Sequence, residues 1–356
     1  MAYTTIDNPS EHFDTLTYSG TGSTQSITGL DFKPDWVWIK KRNAAAYHQL
    51  FDSVRGVTKG LFSNTNDDEA VDSGNLQSFI SGGFTADGFN GTNASGGTYV
   101  AWNWKANGGT TTTNDASSTG VGNTDSVYQA NTTAGFSIVT WTGPSGSDAR
   151  TMAHGLGGTP ELIIYKNRDE NVAWYVGTSA ITFNFNTDYL QLNSDIAKAT
   201  DAGGTVFVSA PTSTVIGSSS SAASGKENIK YVAYCFRSIQ GYSKIGSYTG
   251  NGNADGPFVY TGFKPAWFML KRTDSANDWI IFDNKRDAYQ NPFADYLFAN
   301  LSDAENADTA RGDFLSNGVK IRSSANAFNA SSGTYIYMAF AEHPFVSSEG
   351  VPVTAK

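Results

Sequence analysis

The residue pattern with the most chemical potential is an Asp-x-x-Arg that occurs twice. In "LFDSVRG" it is Asp52 and Arg55, and in "IIFDNKRD" it is Asp283 and Arg286. Each Asp lies eighteen residues after a proline, Pro34 or Pro265, and its Arg three further on. A guanidinium held by a carboxylate presents a rigid fork that can grip sugar hydroxyls or acids. Set beside apolar letters, the same pair can instead brace a loop against the core, where breaking a buried pair costs about 3–5 kcal/mol. The apolar neighbours favour the brace. Eight Trp residues invite a second idea, stacking against sugars. Most stand in apolar runs that read as core, whereas Trp174 and Trp279 follow the polar stretches "NRDENVAW" and "TDSANDW" and are predicted to be the exposed pair.

Other chemistry finds little support. "NTNDDEA" at 64–70 has acidic residues but not the alternating spacing of a calcium loop, so it reads as a solvated turn. His12, His48, His154 and His343 are scattered without a zinc-binding spacing. There is no nucleophile elbow, phosphate loop or dinucleotide fingerprint, so the expectation is a non-enzyme with no catalytic residues, no metal and no cofactor. A net charge of −9 and the absence of long basic runs argue against a nucleic-acid partner. Cys235 stands alone in "YVAYCF" and reads as core. No signal-peptide pattern or eighteen-residue apolar run is present, and the expectation is a soluble protein made in a cytoplasm.

The elements that would position these residues emerge from an internal repeat. "NASGGTYVAW" at 93–102 and "NASSGTYIYM" at 329–338 share most of their letters, and matched landmarks precede both. Each copy opens with an aromatic and glycines ("YSGTGS", "WTGPSGS", "YTGNGN"). It continues with Pro and an apolar run ending in Lys40, Lys166 or Lys271 ("KPDWVWIKKR", "TPELIIYKNR", "KPAWFMLKR"). A Leu-x-x-Asn follows, ending at Asn64, Asn193 or Asn300, then a Phe and a closing strand. In the Pro-led run both alternating sets are apolar, which implies a strand covered on both faces.

The expected fold is all-β: three tandem β-sandwich repeats, jelly-roll or concanavalin-like. The boundaries are an N-terminal docking segment at 1–16, repeat 1 at 17–105, a linker at 106–136, a divergent repeat 2 at 137–240, repeat 3 at 241–346 and a C-terminal tail at 347–356. The linker is polar enough to lack a core. Repeats 2 and 3 should pack closely while repeat 1 sits apart, and "NPFADYLFANLSDAENA" is the best helix candidate.

The string "YTTIDNPSEHFDTLTYSGTGSTQSITGLDFKPDWVWIKKR…LFDSVRG…GGF…WNWK" resembles a repeat family of virion proteins from tailed, especially marine, bacteriophages, often known simply as tail or structural proteins. The resemblance covers nearly the whole chain and is strongest in the first and third copies. It implies concanavalin- or laminin-G-like sandwich units on a phage particle, as a tail-associated host-attachment protein or a head decoration at the virion surface. It implies other virion proteins as partners, a homo-oligomeric arrangement on the particle, a host surface glycan or receptor as a further partner, and no catalytic residues. A glycan-binding module array is the alternative, and a polysaccharide depolymerase the third reading.

Overall fold

A computed structural model describes residues 3–71, 75–287, 291–307 and 310–353. The outermost residues of the expected N-terminal segment and C-terminal tail, 1–2 and 354–356, lie outside the described residues. The three Pro-led runs form strands Trp36–Lys41, Leu162–Asn167 and Phe263–Arg272. Each pairs antiparallel with the closing strand of its own copy, Thr98–Trp104, Lys230–Phe236 or Thr334–Pro344. An opening strand lies on the far side of the closing strand: Phe13–Ser19, Phe136–Thr142 or Ser243–Thr249. On the near side a fourth strand, Gln49–Asp52, Tyr175–Thr178 or Ile280–Asp283, completes the shared order. The chain is all-β, and among the described residues its α-helices are two single turns, Ala116–Thr119 and Asn326–Asn329.

The doubly apolar strands explain how the three sheets meet. One alternating set, including Trp36, Trp102, Ile164, Tyr234, Trp267 and Phe340, lies in one central core shared by all three sheets. The other set faces outward into a separate cluster for each sheet. In the first and third copies that cluster is covered by a small three-stranded sheet containing Gln25–Thr28 or Phe258–Tyr260. At the centre, the matched rings of Trp104, Phe236 and Phe340 form a triangle with centroid separations of 5.7, 6.2 and 6.5 Å. Each sheet thus supplies one wall of a common interior, and the first does not sit apart.

The segment expected to be a coreless linker, 106–136, is instead woven into the second sheet. Thr112–Asn114 and Ser126–Asn131 extend that sheet beyond Phe136–Thr142, and Ala106 and Ala134 reach the central core. A strand at a sheet edge is held by its backbone ladder and does not need apolar side chains, so composition concealed it. The N-terminal stretch is also used internally: Ile6 and Phe13 are in the central core, and Thr4 donates to the Gln240 carbonyl at 2.9 Å. The first sheet begins at Phe13, ahead of the expected boundary at 17. Residues 291–307 are not helical. Their apolar residues serve opposite sides, with Phe293 and Tyr296 in the outer cluster and Leu297 and Ala299 in the central one. That arrangement imitates a helical spacing in the sequence.

The repeated phrase is a turn anchor. Asn93 accepts from the Thr21 amide at 3.0 Å and donates to the Ser23 carbonyl at 2.6 Å. Asn329, the last residue of its helical turn, accepts from the Asn251 amide and donates to the Asn253 carbonyl, both at 2.7 Å. Each asparagine therefore ties its Gly-rich opening loop to the closing strand. Gly20 and Gly250 permit the approach: a Cβ on either would lie 2.2 Å from the carbonyl oxygen of Ala94 or Ala330.

Candidate functional site

The two Asp-x-x-Arg pairs occupy matching positions, because Trp36 pairs with Asp52 and Trp267 with Asp283 in the strand registers. In each pair the Asp accepts from the backbone amide of its Arg, at 2.8 Å for Arg55 and 3.0 Å for Arg286. The guanidinium Nε then meets the other carboxylate oxygen at 2.5 Å in both. All four side chains are inaccessible to solvent.

Each pair lies at a seam between sheets. Tyr234 of the second sheet donates its hydroxyl to Asp52 at 2.8 Å, and Trp102 of the first donates its indole N–H to Asp283 at 2.9 Å. Arg55 continues to Glu69 at 2.9 Å, and Glu69 receives a two-point contact from Arg168 of the second copy, both bonds at 2.8 Å. Arg286 continues to Glu305 at 2.6 Å, and Glu305 receives Arg42 of the first copy. A four-residue chain of alternating charge therefore crosses the seam between the first and second sheets, and a matching one crosses the seam between the third and first. Burial opposes the charge on Arg55, but Asp52, Tyr234 and Glu69 outweigh it and hold the guanidinium firmly protonated.

The remaining seam, between the second and third sheets, carries none of these charges at the matched positions. Thr178 and Ile181 stand where the other copies have Asp and Arg, Lys198 replaces the Glu, Thr273 the partner Arg, and Met338 the donor. The backbone joint persists in all three seams, with amide-to-carbonyl bonds of 2.8 Å from Glu69 to Arg168, Lys198 to Thr273 and Glu305 to Arg42. The charges are an addition to a geometry that forms without them.

Trp174 and Trp279 are buried, not exposed as expected. Each donates its indole N–H to a carbonyl of the neighbouring copy, Trp174 to Phe62 and Trp279 to Gln191, both at 2.7 Å. His48 holds the matching place in the first copy and reaches the Phe298 carbonyl at 2.9 Å. The acceptors are all two residues before the Leu-x-x-Asn asparagines. Those asparagines accept from the backbone of His48, Trp174 and Trp279 at 2.9, 2.8 and 2.9 Å. The repeat lysines complete the joint. Lys40, Lys166 and Lys271 donate to the carbonyls of Ser302, Asn66 and Asp195, each two residues after an asparagine of the neighbouring copy.

All six sequence candidates are thus gathered into the seams and closed to solvent. The partners Glu69, Glu305, Arg42, Arg168, Tyr234 and Trp102 were missed, although the first four recur at fixed offsets from the repeat's Asn and Pro. Among the described residues no cluster of three or more His, Cys, Asp or Glu could hold a metal ion, and no helix is long and apolar enough to cross a membrane. No curated protein and no solved structure matches the chain. One family model, described as a domain of unknown function, DUF7483, matches residues 8–344, a span that takes in all three sheets, and the chain belongs to that family.

Proposed function

We propose that this protein is a non-enzymatic structural protein of a phage virion surface, a tail-associated attachment protein or a head decoration, built from three tandem β-sandwich repeats. The observation that carries the reading is the fate of the charged signature. Both Asp-x-x-Arg pairs, the residues best suited to grip a ligand, are consumed in the seams and serve to hold three sheets together. Such a body is a rigid scaffold whose outward loops can vary without disturbing the core. The phage setting comes from the sequence resemblance, which spans the same residues as the three sheets. Other virion proteins would be its partners, in a homo-oligomeric arrangement, and a host surface glycan or receptor would face its loops.

Immunogold labelling of intact particles with antibodies against this chain tests the reading. The expected outcome is labelling at a fixed place on the particle. Absence of the chain from purified particles, by mass spectrometry and by labelling, would overturn the proposal.

A further inference from the structure

The first copy departs from the third at one corner of its surface, and the departures converge. Strand register matches Gln49, paired with Ile39, to Ile280, paired with Leu270. In the third copy Ile280 is buried in an apolar cluster, against which Phe298, Ala325 and Ala327 also pack. In the first copy the matched residues are Gln49, Phe62, Phe89 and Gly91, and Tyr47 stands where the third has Asp278. These five residues, with Ala46 and Asn90, line an open groove of about 440 Å³, a size within the usual range for small-molecule sites.

The groove combines apolar walls with a polar floor. Tyr47 and Phe89 are 49% and 41% exposed, and the Tyr47 ring leans on Phe62 with centroids 5.7 Å apart. Gln49 is only 2% exposed, yet its amide oxygen has no hydrogen-bond partner, and its amide nitrogen makes one long contact, 3.5 Å to the Tyr47 carbonyl. A buried amide left unsatisfied costs about 1–3 kcal/mol. The fold does not require that cost, because the matched position holds isoleucine. Gly91 completes the wall: a Cβ there would lie 2.6 Å from the Gln49 amide nitrogen. At the rim, Lys41 donates to the Asn90 side-chain oxygen at 2.8 Å and fixes that amide in place.

We infer that this groove is a binding site for a neutral carbohydrate, with a pyranose ring lying against Tyr47 and Phe89. A pyranose has an apolar C–H face and an edge of hydroxyls that both donate and accept. The faces of Tyr47 and Phe89 suit the first, and the Gln49 and Asn90 amides suit the second. A purely apolar ligand would leave the Gln49 amide unsatisfied. The inference deepens the surface-protein reading and rests on it only for the source of the sugar. Binding in solution tests the groove, while labelling of particles tests the reading, so the two can fail separately.

The test is calorimetric titration of the full chain with neutral hexasaccharides of α-1,4-glucan, β-1,4-glucan, β-1,3-glucan and β-1,4-mannan, with decanoate, an apolar tail carrying a carboxylate, as an amphiphilic probe. At least one oligosaccharide should bind. Tyr47→Ala and Phe89→Ala should each weaken it about tenfold or more without lowering the melting temperature, since removing a central aromatic anchor commonly has that effect. Gln49→Ile, which installs the third copy's residue, should abolish binding while the protein stays folded. The inference is overturned if no oligosaccharide binds, if Tyr47→Ala and Phe89→Ala bind as well as the parent, or if decanoate alone binds.

Discussion

Tyr234 donates its hydroxyl to Asp52 at 2.8 Å across a seam between two sheets, so the carboxylate that orients Arg55 is itself held from the neighbouring copy. The brace within one copy and the joint between copies are therefore one unit. Arg55→Ala strands a buried carboxylate and should cost about 3–5 kcal/mol, seen as a clear fall in melting temperature. Adding Asp52→Ala to Arg55→Ala should cost much less than Asp52→Ala alone, because the pair is already broken. Strict additivity of the two losses would show that these residues do not act as a pair.

The shared core makes a second prediction about cooperativity. A fragment of residues 13–105 would expose Trp36, Trp38, Trp102 and Trp104, all inaccessible in the whole chain. Apolar burial is the main drive for folding, at about 25 cal/mol per Å², and this fragment keeps only its smaller outer cluster. Calorimetry of the full chain should give one unfolding transition, and the fragment should show no native near-ultraviolet dichroism. Three separate transitions would mean that the sheets are independent bodies.

The sequence announced the all-β class and the doubly covered strands because those depend on alternation, a local signal that is strong in "PDWVWIK" and "TPELIIYK". It also placed the Asp-x-x-Arg pairs beside the core. The closure of three sheets on one interior was not legible, since nothing in an apolar face says which face it will meet. Trp174 was misjudged for the same reason: its polar approach "NRDENVA" is a loop, but the indole itself is buried and donates to the Phe62 carbonyl of another copy. The groove at Tyr47 is assembled from residues up to 45 positions apart, Ala46 to Gly91, and became visible only when register matched Gln49 to Ile280.

The three buried lysines predict how stability varies with pH. Burial lowers Lys166 to about 7 and Lys40 and Lys271 to about 8, only partly opposed by nearby carboxylates, from an ordinary 10.5. Between the folded and ordinary values the unfolded chain binds more protons than the folded one, so stability rises with pH there. Well below pH 7, by about pH 6, all three are protonated in both states, and their contribution to the slope vanishes. Above about pH 10 buried tyrosines such as Tyr234, held protonated by burial, pull stability down again. The window is therefore about pH 7 to 9.5. Urea midpoints should rise across it, and Lys166→Met should flatten the part of the rise nearest pH 7, because methionine keeps most of the stem but carries no proton. A midpoint that falls across this window in the parent, or a slope unchanged by Lys166→Met, would show that the lysines keep their charge, with the carbonyls of Asn66 and Val172 holding the Lys166 ammonium against burial.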